Sequence, residues 1–130
     1  ITIDDEHESV AKTVEYAYDD WCIAQMAKLL GKKEDYQYFM KRSQAWKNTF
    51  NPKNKFFQPR KNGSWLEPFD PLEVNSHYTE ANAWHYSFFV PQNINELIQM
   101  HGGKKKFENF IDALFNAPNK TTGIQKVDIT

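Results

Sequence analysis

The segment Glu6–Leu30, E-H-E-S-V-A-K-T-V-E-Y-A-Y-D-D-W-C-I-A-Q-M-A-K-L-L, decides the fold class. Val10, Val14, Ala17, Trp21 and Ala24 recur at helical spacing and form one apolar stripe. Ala11, Tyr18, Cys22, Met26 and Leu29 form a second stripe beside it. A surface helix needs only one such stripe, so the pair predicts burial against neighbours on more than one side. Ser9 or an upstream acid is placed to cap the start, and Gly31 supplies the stop. Asp19 and Asp20 interrupt the pattern as a polar pair on an otherwise apolar helix. Cys22 is the lone cysteine, which excludes an intrachain disulfide framework. Its place on a stripe predicts a small buried core residue rather than a nucleophile.

Further along, Tyr36, Phe39, Met40, Ser43, Trp46 and Phe50 mark a one-faced helix over Lys33–Phe50, which Asn51-Pro52 ends. Its short connection to the first helix predicts an antiparallel helix pair. From Pro52 to Asn75 the periodicity breaks. Lys55–Arg60 and Ser64–Glu67 flank Lys61-Asn62-Gly63, where Asn-Gly favours a tight turn, so a small irregular hairpin is expected before the Pro68-Phe69-Asp70-Pro71 turn. Loops on rigid scaffolds carry sites, but Phe56, Phe57 and Trp65 read first as lids over the core. Gln92–His101 is a short amphipathic helix with Asn93 as its cap. Gly102-Gly103 breaks it, and Lys104–Asn116 is a further helix with Phe107, Phe110, Ile111 and Leu114 on one face. An extended tail is expected over Ile124–Thr130. The fold class is therefore all-α, with one irregular loop.

Composition narrows the function. At 130 residues the chain fits one domain or part of a larger one, and a net charge of -1 gives no sign of a nucleic-acid partner. Lys104-Lys105-Lys106 reads as a solvated helix start. No stretch approaches the length of a membrane span, so no membrane partner is expected. The start, Ile1–Asp5, lacks an initiator Met and targeting character, which fits a piece trimmed from a longer protein and says nothing about export. Phosphate-loop and dinucleotide spacings are absent, as are H-E-x-x-H and G-x-S-x-G.

Chemistry concentrates in Asn75–Pro91, N-S-H-Y-T-E-A-N-A-W-H-Y-S-F-F-V-P. Glu80 stands among Tyr78, Asn82, Trp84, His85 and Tyr86. A carboxylate among aromatics is a setting in which desolvation holds a proton near neutral pH for donation. Aromatic faces and amides also suit a sugar. The plainer reading is that Thr79 caps a helix whose first turn contains Glu80, with Tyr86, Phe88, Phe89 and Val90 as core.

Several motifs in order resemble one family. Y-A-Y-D-D-W at Tyr16–Trp21, continuing C-I-A-Q-M-A-K-L-L-G, is similar to an inner-barrel helix of the calcium-dependent exo-α-mannosidases of glycoside hydrolase family 92. So are W-L-E-P-F-D-P at Trp65–Pro71, Y-T-E-A-N-A-W at Tyr78–Trp84 (usually with Gly in place of Ala81), and V-P-Q-N-I-N-E-L-I-Q-M-H-G-G from Val90. The resemblance implies that residues 1–130 are a single contiguous slice of a larger catalytic (α/α)6 toroid. It implies an inverting hydrolase of α-mannosidic linkages, α-1,2 in the first place, acting on mannose-containing glycans of mannan or N-glycan type. It places the general acid at Glu80, with Asn82 and Trp84 as substrate-binding candidates. Asp19, Asp20, Glu67 and Asp70 are weaker candidates, for which turn and surface roles compete. The catalytic base and the calcium site are expected beyond Thr130, so the slice alone should be inactive and should self-associate through its uncovered apolar surface. A secreted or periplasmic bacterial location is also implied. Two rivals share the helix pairs: a helical-repeat interaction module, which should show a repeat period, and another sugar-processing (α/α)6 enzyme.

Overall fold

A computed structural model describes residues 6–123; the expected tail over Ile124–Thr130 lies outside the described residues. The architecture is mainly helical, with one small antiparallel hairpin. In chain order the elements are α1 (Ser9–Leu29), α2 (Lys33–Arg42), β1 (Arg60–Lys61), β2 (Ser64–Trp65), α3 (Ala83–Tyr86), α4 (Ile94–Met100) and α5 (Lys104–Phe115).

The α1–α2 pair forms as the short connection predicts. Gly31 takes φ +69°, while Lys32 N donates to Ala27 O and Gly31 N to Lys28 O, so the last carbonyls of α1 are satisfied in a Schellman turn. Asp20, buried on α1, accepts from Arg42 Nε on α2 at 3.0 Å and ties the two together. The second helix is shorter than its periodicity predicts. It ends at Arg42, and a 3-10 turn, Ala45–Asn48, follows. Hydroxyls explain the break: Ser43 Oγ donates to Met40 O and Thr49 Oγ1 to Trp46 O, taking up carbonyls locally. The tighter turn carries Trp46, fully buried, into the core.

The core is aromatic. Phe56 meets Trp84 at 4.6 Å and Phe110 at 5.0 Å between ring centroids, and Phe50 and Phe110 flank His101. Phe56 and Phe57 are core residues, as the lid reading has it. Trp65 instead lies half-buried under the Arg60 guanidinium. The hairpin turns where expected: Asn62 and Gly63 both have positive φ, the geometry a two-residue turn requires.

Three expectations about caps and burial are corrected. No Ser9 or acidic side chain caps α1. The His77 carbonyl accepts from Val10 N and Ala11 N, and Glu8 N donates to Ser76 O, so the central stretch itself closes the helix start. Cys22 is exposed, not buried, because the second stripe of α1 is uncovered among the described residues from that point on. Met26, Leu29 and Leu30 stand 57%, 83% and 65% exposed. Finally, Thr79 does not cap a helix containing Glu80. The cap is Asn82, and the helix begins three residues later than Glu80.

Candidate active site

The segment Tyr78–Tyr86 is fastened to the core at alternate points. Burial pushes the Tyr78 phenol well above its ordinary range, and the hydroxyl donates to Phe57 O at 2.6 Å. Ser87 Oγ accepts from Phe57 N at 2.8 Å, so the same backbone residue is gripped from both sides of the stretch. Asn82 is 3% exposed; its Oδ1 accepts from Trp84 N at 3.1 Å, and its own N–H points at His85 Nδ1. That reciprocal pair is a capping box.

Between these fasteners Glu80 adopts φ +49°, in the left-handed region. For a side chain other than Gly or Asn this costs roughly 1–3 kcal/mol, and it persists only where neighbours enforce it. The neighbours are visible: Thr79 Oγ1 donates to Glu8 Oε1 at 2.9 Å on one side, and Ala81 and Asn82 are buried on the other. The result turns the Glu80 carboxylate outward onto an open cavity of about 310 Å3, lined also by Glu15, Thr79, Ala81, His85, Tyr86 and Phe89. Across it, Tyr86 Oη donates to Glu15 Oε1 at 2.8 Å. Burial, with Glu15 adding to it, raises the Tyr86 phenol and keeps that donor protonated. His85 Nδ1 accepts from Asn82 N, and the ring lines the cavity. The wall therefore offers two carboxylates, two hydroxyls, an imidazole and the half-exposed Phe89 ring, a set suited to sugar hydroxyls and an apolar pyranose face.

The structure sorts the sequence candidates. Glu80 reaches the cavity, but it is exposed, so the dry aromatic setting expected for it is not supplied by the described residues. Asn82 and Trp84 do not line the cavity with it. Asn82 spends its amide on the α3 cap and on Leu72 O, and Trp84 is wedged between Phe56 and Phe110. In this geometry both side chains serve the scaffold, and the substrate role expected for them stays a proposal. Asp70 binds Leu72 N and Thr122 Oγ1, and Glu67 accepts from Gln58 Nε2, so both serve the loop. Asp19 is exposed. Glu15 was missed. Its place on the polar side of α1 gave no signal, and only the fold brings it to Tyr86, 71 residues away.

No group of three or more His, Cys, Asp or Glu side chains able to hold a metal ion occurs among the described residues. Nor is any described helix long and apolar enough to cross a membrane.

Comparison with known proteins gives this geometry its context. Residues 1–130 match the family model for the glycosyl hydrolase family 92 catalytic domain. An uncharacterised secreted glycosidase of Arthroderma benhamiae is 35% identical over 133 residues, covering 84% of this chain and 17% of that protein. A family GH92 α-mannosidase from Bacteroides thetaiotaomicron has a TM-score of 0.83 at 40% identity, over 90% of this chain and 16% of that one. The same enzyme in complex with mannoimidazole gives 0.85 at 36% identity, over 98% and 18%. A family GH92 inverting mannosidase from that species gives 0.77 at 30%, over 99% and 18%. This chain thus spans less than one fifth of the length of these relatives. It belongs to glycosyl hydrolase family 92, and its helix pairs are a slice of that family's (α/α)6 catalytic domain.

Proposed function

We propose that the complete protein is an inverting exo-α-mannosidase and that Glu80 is its general acid. The observation that carries this reading is the left-handed backbone of Glu80, enforced from both sides and aiming a carboxylate into a cavity of monosaccharide scale. Strained backbone at a cleft is a mark of function rather than of stability. An inverting hydrolase needs one protonated carboxyl at the leaving oxygen and one carboxylate that activates water across the ring, roughly 6.5–9.5 Å apart. In this assignment Glu80 donates its proton to the glycosidic oxygen as that bond breaks. The base comes from beyond residue 130 and takes a proton from the attacking water. Closure by the rest of the toroid supplies the water exclusion that favours a protonated Glu80, which the slice leaves exposed. Glu15, oriented by Tyr86, accepts a sugar hydroxyl, and Phe89 meets the apolar ring face.

The substrate is a mannose-containing glycan of mannan or N-glycan type with an α-1,2 linkage, and the protein acts outside the cytoplasm, secreted or periplasmic. Calcium is required by the complete enzyme and is held by residues outside this chain; no residue described here is assigned to it. By itself the 130-residue slice is inactive and self-associates through the uncovered Met26, Leu29 and Leu30 surface of α1.

The test is Glu80→Gln in the complete enzyme. Hydrolysis of an α-1,2-mannobiose should fall by about 10²–10⁴-fold, the usual worth of general acid catalysis, with the melting temperature unchanged. The anomer released first by the parent enzyme, followed by proton NMR, should be β. Retained activity in Glu80→Gln removes the acid assignment, and an α product removes the inverting mechanism.

A further inference from the structure

We propose that a second pocket, at the start of α1 and away from Glu80, is a carboxylate-binding site anchored by Arg60 and Ser9. The pocket measures about 260 Å3 and lies between the first turn of α1 and the β1–β2 hairpin, with Ser9, Asn48, Thr49, Gln58, Arg60 and Gly63 on its walls. No acidic residue lines it. Most of its polar walls are already committed. Gln58 Oε1 accepts from Asn51 and Asn54, Gln58 Nε2 donates to Leu66 O and Glu67, and Thr49 Oγ1 donates to Trp46 O. Besides the exposed Asn48 amide, two shielded groups are left over. Ser9 is 1% exposed and its Oγ has no hydrogen-bond partner among the described residues; Arg60 is only partly buried, but its Nε is shielded from solvent and likewise unpartnered.

The guanidinium is also held in place. Arg60 pairs with Trp65 across the hairpin and lies 4.0 Å from the centroid of that ring. It forms no ion pair among the described residues. A shielded N–H donor without an acceptor is unfavourable, and a planar guanidinium is matched by a planar oxyanion that takes two parallel N–H bonds. The hydroxyl of Ser9 supplies a third donor. A single carbonyl would satisfy one N–H and leave the charge uncompensated, so the donor set favours a carboxylate. Its source is either an acidic side chain from the longer polypeptide or a free carboxylate in solution. This site is independent of the role given to Glu80.

The experiment compares the complete protein with Arg60→Gln and Ser9→Ala by thermal unfolding from pH 7 to pH 4, in sodium acetate and in sodium chloride at equal ionic strength. If a protein carboxylate fills the pocket, Arg60→Gln lowers the melting temperature by several degrees at pH 7. That difference shrinks as the pH falls through the carboxylate range, and acetate has no effect. If the ligand is free, acetate raises the melting temperature of the parent protein relative to chloride but not that of Arg60→Gln. Should Arg60→Gln fail to fold, Ser9→Ala must show the same pattern at smaller amplitude. A gap between parent and variants that is constant across pH, with no acetate effect, means that Arg60 and Ser9 serve packing alone and overturns the proposal.

Discussion

The two sides of Tyr78–Tyr86 do opposite work. Tyr78, Asn82 and Trp84 point inward, where a phenol holds Phe57 O, an amide caps α3 and an indole fills the gap between Phe56 and Phe110. Thr79, Glu80, His85 and Tyr86 point to the cavity. Exposed Thr79 and Glu80 therefore stand between buried Tyr78 and the buried run 81–83. The buried side makes the strained φ of Glu80 affordable, because the chain cannot relax it without releasing the fasteners on either flank. What the comparison teaches is that a crowded functional motif can be half scaffold.

The difference can be broken from the inward side. Trp84→Ala should cost about 3–5 kcal/mol, the range for truncating a packed aromatic, and lower the melting temperature of the complete protein without altering KM in what remains folded. A large KM change at unchanged stability would return Trp84 to the substrate. Acid should strike the same core. His101 is 2% exposed among Phe50, Phe107 and Phe110; burial, with Lys55 adding to it, lowers its pKa to about 4. The unfolded chain protonates near 6.5, so the folded state loses stability as pH falls from about 6.5 to about 4, by at most about 3 kcal/mol. Urea unfolding at both ends of that window should show the loss in the parent and a smaller one in His101→Phe.

Smaller effects sharpen the contrast. Asn82→Ala removes the α3 cap and should cost about 0.5–2 kcal/mol. It should also loosen Glu80, so kcat falls while substrate affinity holds; a pure KM effect would mean direct contact with sugar. Least of all, Cys22→Ser at an exposed site should lie within about 0.5 kcal/mol in the isolated slice. A larger loss there would mean that the second stripe of α1 is covered in solution, as by the self-association proposed above.

Local signals were legible in the sequence. Helical spacing located α1, Gly31 its stop, Asn62-Gly63 the hairpin turn and Asn93 the α4 cap, whose Oδ1 accepts from Glu96 N. The (α/α)6 slice came from motif resemblance rather than periodicity. Interactions between distant segments were not legible. Nothing near Ser9 announces that the His77 carbonyl will close the helix, and nothing near Glu15 announces Tyr86. Cys22 failed for another reason: a stripe reports which face is apolar, not whether its cover lies in the same 130 residues. The second helix ran too long on paper because period alone ignores hydroxyls that bond back to their own turn.

The assignment of Glu80 rests on protonation of the leaving group, and varying that group tests it most directly. Parent and Glu80→Gln enzymes should be compared on α-1,2-mannobiose and on dinitrophenyl α-mannoside, whose leaving group departs without a proton. The account predicts that Glu80→Gln loses about 10²–10⁴-fold on the disaccharide and far less on the dinitrophenyl substrate, with the alkaline limb of its pH profile gone. Equal losses on both substrates, with the fold intact, would contradict it and leave Glu80 a positioning residue.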